Sequence, residues 1–162
     1  LKDSVKENIF NILNHSNEIN IKIENSYVLD LYSGIGSFGL ECISRGSKEV
    51  TFVEKSKEAL KILHQNLQNL SALSNAEIVN DKIENIINDR QKKYEILFLD
   101  PPFRDREFFH VLKELKEKKI NKKRHVVIIH REKNSEEELN KIIQLIKVKE
   151  YGRSKIIFGT FI

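Results

Sequence analysis

Short apolar runs alternate with segments of helical spacing along most of the chain. Seven such runs, rich in β-branched and other apolar residues, predict strands at Tyr27–Leu31, Glu49–Val53, 77–79, Tyr94–Leu99, 125–129, 148–151 and 155–161. Most are separated by stretches in which apolar residues recur every three or four positions, for example Leu60, Leu63 and Leu67. The alternation predicts an α/β fold in which helices connect the strands.

Two further features refine this prediction. The uninterrupted apolar run from Ile96 to Leu99 is typical of a parallel sheet covered on both faces. The turn at Gly152, Arg153 and Ser154 is too short for a parallel crossover, so we expect the mostly parallel seven-stranded sheet to end in an antiparallel hairpin. An additional N-terminal helix is predicted over residues 3–13, and the predicted N-caps of two later helices are Ser56 and Asp105.

Composition favours one globular domain over residues 1–162. The chain is 40% hydrophobic and 32% charged, which excludes a disordered protein, and its net charge of +4 permits an acidic partner. A single cysteine, Cys42, and the lack of a signal-peptide or membrane-span pattern lead us to expect a cytoplasmic protein with no membrane partner. Because the chain starts at Leu1 and contains no methionine, we expect residues upstream of it to be missing.

A glycine-rich turn follows the first strong strand. Gly34, Gly36 and Gly39 come directly after the strand that ends at Leu31 and precede a helical segment beginning near Phe38. Strand before and helix after make this a candidate nucleotide-binding turn, with a merely structural turn as the alternative. Glu54, at the end of the next strand, lies at the distance along the chain where a carboxylate binds ribose hydroxyls.

The acidic residue before the glycines helps to choose the cofactor. Asp30 would repel a dinucleotide pyrophosphate but attract the ammonium and sulfonium groups of S-adenosylmethionine. The alternative for Asp30 is a carboxylate that caps loop amides. Asp81 follows the third strand, where its side chain could contact an adenine. The alternative role for Asp81 is to cap the N-terminus of a helical segment over 82–88.

Both prolines of the chain stand together at the end of the fourth strand, in Asp100-Pro101-Pro102-Phe103. They fix the backbone and carry no amide donors, so the loop offers carbonyls and the Asp100 carboxylate as acceptors. An exocyclic amine on a planar base would satisfy them while Phe103 stacks on the base. The alternative is a turn with an aromatic plug. Four acidic candidates, at 30, 54, 81 and 100, thus fall at one sheet edge.

Positive charge is concentrated after this loop. From Arg104 to Arg124 there are nine Lys or Arg and four Asp or Glu. We predict that Arg104 and Arg106 contact RNA phosphates, with a more distant contribution from residues 122–124, while the alternative for individual lysines is a solvated helix face. The five histidines lack metal-ligand spacing, so no metal is expected, and Cys42 is interpreted as a core residue.

Together these motifs resemble the class I S-adenosylmethionine-dependent methyltransferases. More narrowly, the chain resembles the RsmD-type family of bacterial ribosomal RNA guanine-N2 methyltransferases. The narrower resemblance rests on three stretches besides the glycine turn and the Asp-Pro-Pro-Phe loop, namely 3–11, 39–46 and 151–154.

The resemblance implies a Rossmann-like sandwich and a role for each motif. Asp100, Pro101, Pro102 and Phe103 would hold the target guanine. The implied cofactor positions are Asp30, Tyr32, Ser33, Gly34 and Gly36 around the methionine part, Glu54 and Lys55 at the ribose, and Asp81 and Lys82 near the adenine. The chain departs from the family in lacking a basic segment ahead of residue 3 and in carrying His130 where an acidic residue often stands.

The implied function is methylation of guanine N2 in small-subunit (16S) ribosomal RNA, with S-adenosylhomocysteine as the second product. The implied partner is ribosomal RNA or an assembling small subunit. Three alternative functions are consistent with some of these motifs. They are methylation of DNA adenine N6 or of a protein glutamine, RNA binding without catalysis, and NAD-dependent oxidation or reduction.

Overall fold

A computed structural model describes residues 1–87 and 91–162. Its strands are β1 (Tyr27–Leu31), β2 (Glu49–Val53), β3 (Ala76–Val79), β4 (Tyr94–Leu99), β5 (Asn121–Glu132), β6 (Ile143–Tyr151) and β7 (Ser154–Phe161). Its helices are α1 (Asp3–His15), α2 (Ser37–Ser44), α3 (Lys57–Asn69), α4 (Ile83–Ile87) and α5 (Phe108–Glu117), with 3-10 turns at Leu73–Asn75 and Leu139–Lys141.

The strands form one sheet in the order β3-β2-β1-β4-β5-β7-β6. The first five of these are parallel, whereas β7 runs antiparallel to both β5 and β6. The predicted Rossmann-like α/β fold, with its mostly parallel seven-stranded sheet and C-terminal hairpin, is therefore confirmed. Because β1 to β5 are parallel, their carboxyl ends share one edge, where open α/β sheets bind ligands.

The predicted boundaries agree with the structure for three of the strands. The bounds of β1, β2 and β4 agree with the prediction, but β5 runs from Asn121 to Glu132 rather than over 125–129. Its extra residues pair with β4 at one end and with β7 at the other. β6 begins five residues before the predicted 148, because this edge strand accommodates polar residues that hide its pattern.

One of the two predicted N-caps is wrong. Ser56 caps α3 as predicted, since its hydroxyl accepts a hydrogen bond from the Ala59 amide at 3.3 Å. Asp105 does not cap α5, whose N-cap residue is Glu107. Its carboxylate instead accepts a hydrogen bond from the Glu107 amide at 2.7 Å, which closes the turn ahead of the helix.

Both faces of the sheet are covered. Ile96 and Phe98 of β4 pack under α1, α2 and α3, while Leu97 and Leu99 pack under α4 and α5. The rings of Phe10, Phe38 and Phe98 form a continuous stack that ties α1 and the glycine helix α2 to β4, with centroids 5.2 and 4.0 Å apart. Within the described residues, no helix is long and apolar enough to span a bilayer.

Candidate active site

A cavity of about 570 Å³ lies at the carboxyl ends of the parallel strands. This volume is within the range of small-molecule sites. It is lined by Tyr32, Val53, Glu54, Lys55, Asp81, Lys82, Ile83, Asn85, Asp100, Pro102, Asp105 and Glu107. The structure thus gathers seven of the predicted site residues around one cavity: Tyr32, Glu54, Lys55, Asp81, Lys82, Asp100 and Pro102.

The glycine turn brings α2 close to the sheet beside this cavity. Gly36 has φ +90°, a conformation that disfavours side chains, and a Cβ there would lie 2.3 Å from a Leu63 methyl carbon. A Cβ at Gly39 would lie 2.3 Å from the Phe52 ring of β2. The positive φ favours glycine at 36 and the Phe52 ring favours glycine at 39, whatever the turn binds.

Asp30 lies beneath the turn and does not line the cavity. It is 1% exposed, and its Oδ2 accepts a hydrogen bond from the Gly39 amide at 3.0 Å. Since the N-cap of α2 is Gly36, which has no side chain, Asp30 satisfies one of the free amides at this helix terminus. Burial raises the pKa of Asp30 from 3.8 to about 8, against the lowering effect of the Gly39 amide. The bond from Gly39 is the kind expected if Asp30 caps loop amides. A role for Asp30 in binding the cofactor stays a prediction.

Glu54 connects the loops that follow β1 and β2. Its Oε2 accepts a hydrogen bond from the Gly34 amide at 2.8 Å, and its Oε1 accepts bonds from the Lys55 and Ser56 amides, both at 2.9 Å. A carboxylate has about four acceptor positions, so three amides leave room for a ribose hydroxyl. Ser33 and Gly34 lie in the joined loop and do not line the cavity itself.

Asp81 begins the loop after β3. Its Oδ1 accepts hydrogen bonds from the Asn85 side chain at 2.9 Å and the Lys82 amide at 2.6 Å, which together hold the pKa of Asp81 below its usual value. The helix that follows is α4, which ends at Ile87. The end of the predicted segment, Asn88, lies outside the described residues.

The Asp-Pro-Pro-Phe loop forms the other wall. Asp100 and Pro102 face the cavity, and Phe103 is 41% exposed in an adjoining groove. Asp100 Oδ1 lies 2.7 Å from His130 Nδ1, and the backbone nitrogen of Leu1 lies 3.7 Å from Asp100 Oδ2. The loop therefore presents a half-buried carboxylate and an exposed aromatic ring side by side.

A buried arginine holds the backbone of this loop. Arg131, only 4% exposed, donates hydrogen bonds to the carbonyls of Pro102 at 3.2 Å and Phe103 at 3.3 Å. Its guanidinium also pairs with Glu137 at 2.7 Å and lies 4.2 Å from the centre of the Phe108 ring. One side chain of β5 therefore fixes both the end of the loop and the start of α5.

The predicted RNA-contacting arginines lie beside Phe103. Arg104 and Arg106 border the adjoining groove, whose other residues include Asp105, Glu132, Glu136 and Glu137. No described residue forms a salt bridge with either arginine. Residues 122–124 instead lie at the start of β5, where Asn121 pairs with Tyr94 at the opposite edge of the sheet. They therefore lie away from the loop by the length of β5. Their contribution to phosphate binding stays a prediction.

Sequence comparison places the chain among known proteins. The model of the family described as Conserved hypothetical protein 95 matches residues 1–160. The chain belongs to this family. Ribosomal RNA small subunit methyltransferase D of Haemophilus influenzae is 38% identical over 104 residues, which cover 62% of this chain and 51% of that protein. The namesake from Buchnera aphidicola is 36% identical over 100 residues, 62% of this chain and 48% of that protein.

The chain spans about half the length of these two curated relatives. A solved structure from Haemophilus influenzae, named a "putative methylase", superposes with a TM-score of 0.80 at 31% identity, covering 97% of this chain and 96% of its own. A protein from Streptococcus pyogenes superposes with a TM-score of 0.83 at 24% identity, covering 96% and 94%, which shows the shared fold. The resemblance to the RsmD type is confirmed.

Two residues that contact the loop were not predicted from the sequence to belong to the site. His130 and Arg131 both follow the apolar run of β5, at the carboxyl edge where the other site residues lie. Their position at the end of a parallel strand was the available signal. Among the described residues, no group of His, Cys, Asp and Glu could hold a metal ion.

Proposed function

We propose that this chain transfers the methyl group of S-adenosylmethionine to the exocyclic N2 of a guanine in small-subunit ribosomal RNA. The observation that carries the proposal is the Asp100–Phe103 loop, in which Asp100 lines the cavity and the exposed Phe103 ring lies in the adjoining groove. The names of the small-subunit relatives support the choice of RNA.

Charge in the cavity supports this cofactor over a dinucleotide. Five carboxylates line it, from Glu54, Asp81, Asp100, Asp105 and Glu107, against two lysines, Lys55 and Lys82. An acidic wall favours ammonium and sulfonium groups and disfavours a pyrophosphate. When bound, S-adenosylmethionine supplies a methyl group activated by its sulfonium. Glu54, Asp81 and the turn around Gly34 and Gly36 are the residues that would hold it.

The acceptor atoms of the loop match a primary amine. Arg131 occupies the carbonyls of Pro102 and Phe103, and the Asp105 amide also donates to Pro102. No described residue donates to the Pro101 carbonyl. An amine has two hydrogens, which the Pro101 carbonyl and the Asp100 carboxylate would accept.

The Asp100 carboxylate and the Pro101 carbonyl would make the guanine amine more reactive. The lone pair of a guanine amine is delocalised into the ring, so the nitrogen is planar and a weak nucleophile. Asp100 and Pro101 would favour a pyramidal nitrogen and stabilise the positive charge that develops on it during transfer. Phe103 would stack on the base, while Arg104 and Arg106 would contact the neighbouring phosphates.

The test is to offer methyl-labelled S-adenosylmethionine with separate acceptors to the full-length protein. The acceptors are naked 16S and 23S ribosomal RNA, assembling small subunits, DNA and a protein pool, and labelled nucleosides or amino acids are then identified. We expect N2-methylguanosine from 16S RNA or small subunits.

The matched control is Asp100→Ala, which should bind cofactor without transferring label. If the label appeared in N6-methyladenine or in glutamine, the acceptor would be DNA adenine or a protein glutamine and not guanine. RNA binding without transfer would indicate a non-catalytic module, and binding of NAD in preference to S-adenosylmethionine would indicate an oxidoreductase.

A further inference from the structure

His130 contacts both of the loop side chains that would hold the acceptor base. Its Nδ1 lies 2.7 Å from Asp100 Oδ1, and its ring meets the Phe103 ring edge-on, with centroids 5.5 Å apart at 72°. His130 is 8% exposed and does not line the cavity. It therefore reaches the site only through these two neighbours.

We propose that His130 is a positioning residue for methyl transfer, acting through Asp100. The proposal rests on the function proposed above. In this role Nδ1 of His130 carries the hydrogen and donates it to Oδ1 of the carboxylate. This bond fixes the rotation of the carboxylate, so that Oδ2, which lies 3.7 Å from the Leu1 nitrogen, would accept from the amine. The ring would support Phe103 at the stacking position.

Asp100 lacks the backbone donors that directly follow Glu54 in the chain. Glu54 is held by three backbone amides, but the two residues after Asp100 are prolines, which have no N–H. The carboxylates of Asp100 and Glu54 both lie near enough to the buried Asp30 to contribute to the rise in its pKa. His130, which is held on β5, supplies the hydrogen-bond donor that the two prolines and the nearby carboxylates cannot supply.

The backbone of the loop is held independently of His130. Arg131, the next residue on β5, donates hydrogen bonds to the two carbonyls at the end of the loop. Adjacent residues of a strand point to opposite faces, so each contacts a different side of the loop. Removal of the His130 side chain should therefore release the Asp100 carboxylate and leave the loop in place.

Three variants at one position test the hydrogen bond itself. The amide nitrogen of an asparagine falls near the place of Nδ1, whereas that of a glutamine falls near the place of Nε2. We expect His130→Ala and His130→Gln to lower the single-turnover rate at saturating cofactor and RNA by about ten- to a hundredfold. His130→Asn should recover most of that loss. Cofactor affinity and melting temperature, measured for each variant, should remain near the wild-type values.

A double-mutant cycle with Asp100→Ala tests the route of the effect. If His130 acts through Asp100, then His130→Ala causes little further loss in the Asp100→Ala background. A full additional loss there, equal rates for the Asn and Gln variants, or a wild-type rate for His130→Ala would overturn the proposal. No transfer to guanine by the wild type would instead overturn the proposed function and this role with it.

Discussion

The two walls of the cavity are built in different ways. In the cofactor wall, formed by the loops after β1, β2 and β3, carboxylates accept backbone amides that are mostly close in sequence, as Glu54 does from Lys55 and Ser56. In the acceptor wall, formed by the loop after β4, the carboxylate of Asp100 accepts from His130, a side chain thirty positions away.

Under the proposed function, this difference would separate cofactor binding from methyl transfer. Carboxylates of the cofactor wall are also structural supports of their loops, so their replacement should affect cofactor affinity and stability together. In the acceptor wall Arg131 fixes the backbone, and no backbone amide of the described residues donates to the Asp100 carboxylate, from which the Leu1 nitrogen lies 3.7 Å away. Replacement of Asp100 should therefore affect transfer alone.

The largest expected effect is at Asp100. Asp100→Ala should lower the single-turnover transfer rate by about a hundredfold or more, the usual loss when one preorganised polar group is removed. Cofactor affinity, measured by calorimetric titration, should be unchanged. The matched control is Asp105→Asn, which keeps an acceptor for the Glu107 amide at the same cavity and should retain transfer. Transfer by Asp100→Ala near the wild-type rate would exclude the loop as the acceptor site.

In the cofactor wall, Glu54→Ala should weaken cofactor binding by about 1.5–3 kcal/mol, the range for hydrogen bonds to a charged group. It should also lower the melting temperature, because the amides of Gly34, Lys55 and Ser56 lose their acceptor. Calorimetry and thermal unfolding of the same samples check both effects. A loss of affinity with no change in melting temperature would contradict the coupling expected of this wall.

Asp30 should make stability depend on pH. Its pKa is raised by burial to about 8, so between about pH 4 and pH 8 the folded state holds a proton that the unfolded state has lost. Through this group the free energy of unfolding should fall by up to about 1.4 kcal/mol per pH unit as pH rises across that window. Denaturant titrations should show that Asp30→Asn removes the slope. The exposed Asp81, with its lowered pKa, is the control, since Asp81→Asn should leave the slope in place.

The smallest effect concerns the basic residues beside the acceptor wall. Replacing Arg104 and Arg106 together by Ala should reduce the slope of log affinity for RNA against log salt by about 0.7–0.9 for each phosphate that the protein no longer neutralises. The control removes the same charge at the other edge of the sheet, with Lys123→Ala and Arg124→Ala. Equal slopes for both double variants would show that the two arginines only form a solvated face.

Patterns within one segment determined much of the fold. The apolar runs of β1, β2 and β4 marked buried strands, and the glycines after β1 marked the turn, because burial on both faces and positive φ angles leave local signatures. The acidic residues at strand ends followed from the same reasoning, since parallel strands share one carboxyl edge. Glu54, Asp81 and Asp100 could be placed around one cavity in this way.

Only the tertiary structure decided how side chains pair between strands. The register in which Leu99 lies beside Ile129 brings Asp100 to His130, and the same register lets Arg131 reach the loop carbonyls. The tight approach of α2 to β2 buries Asp30 beneath the turn instead of opening it to the cavity. Register and helix approach depend on packing between distant segments, and periodicity along a single segment carries no information about them.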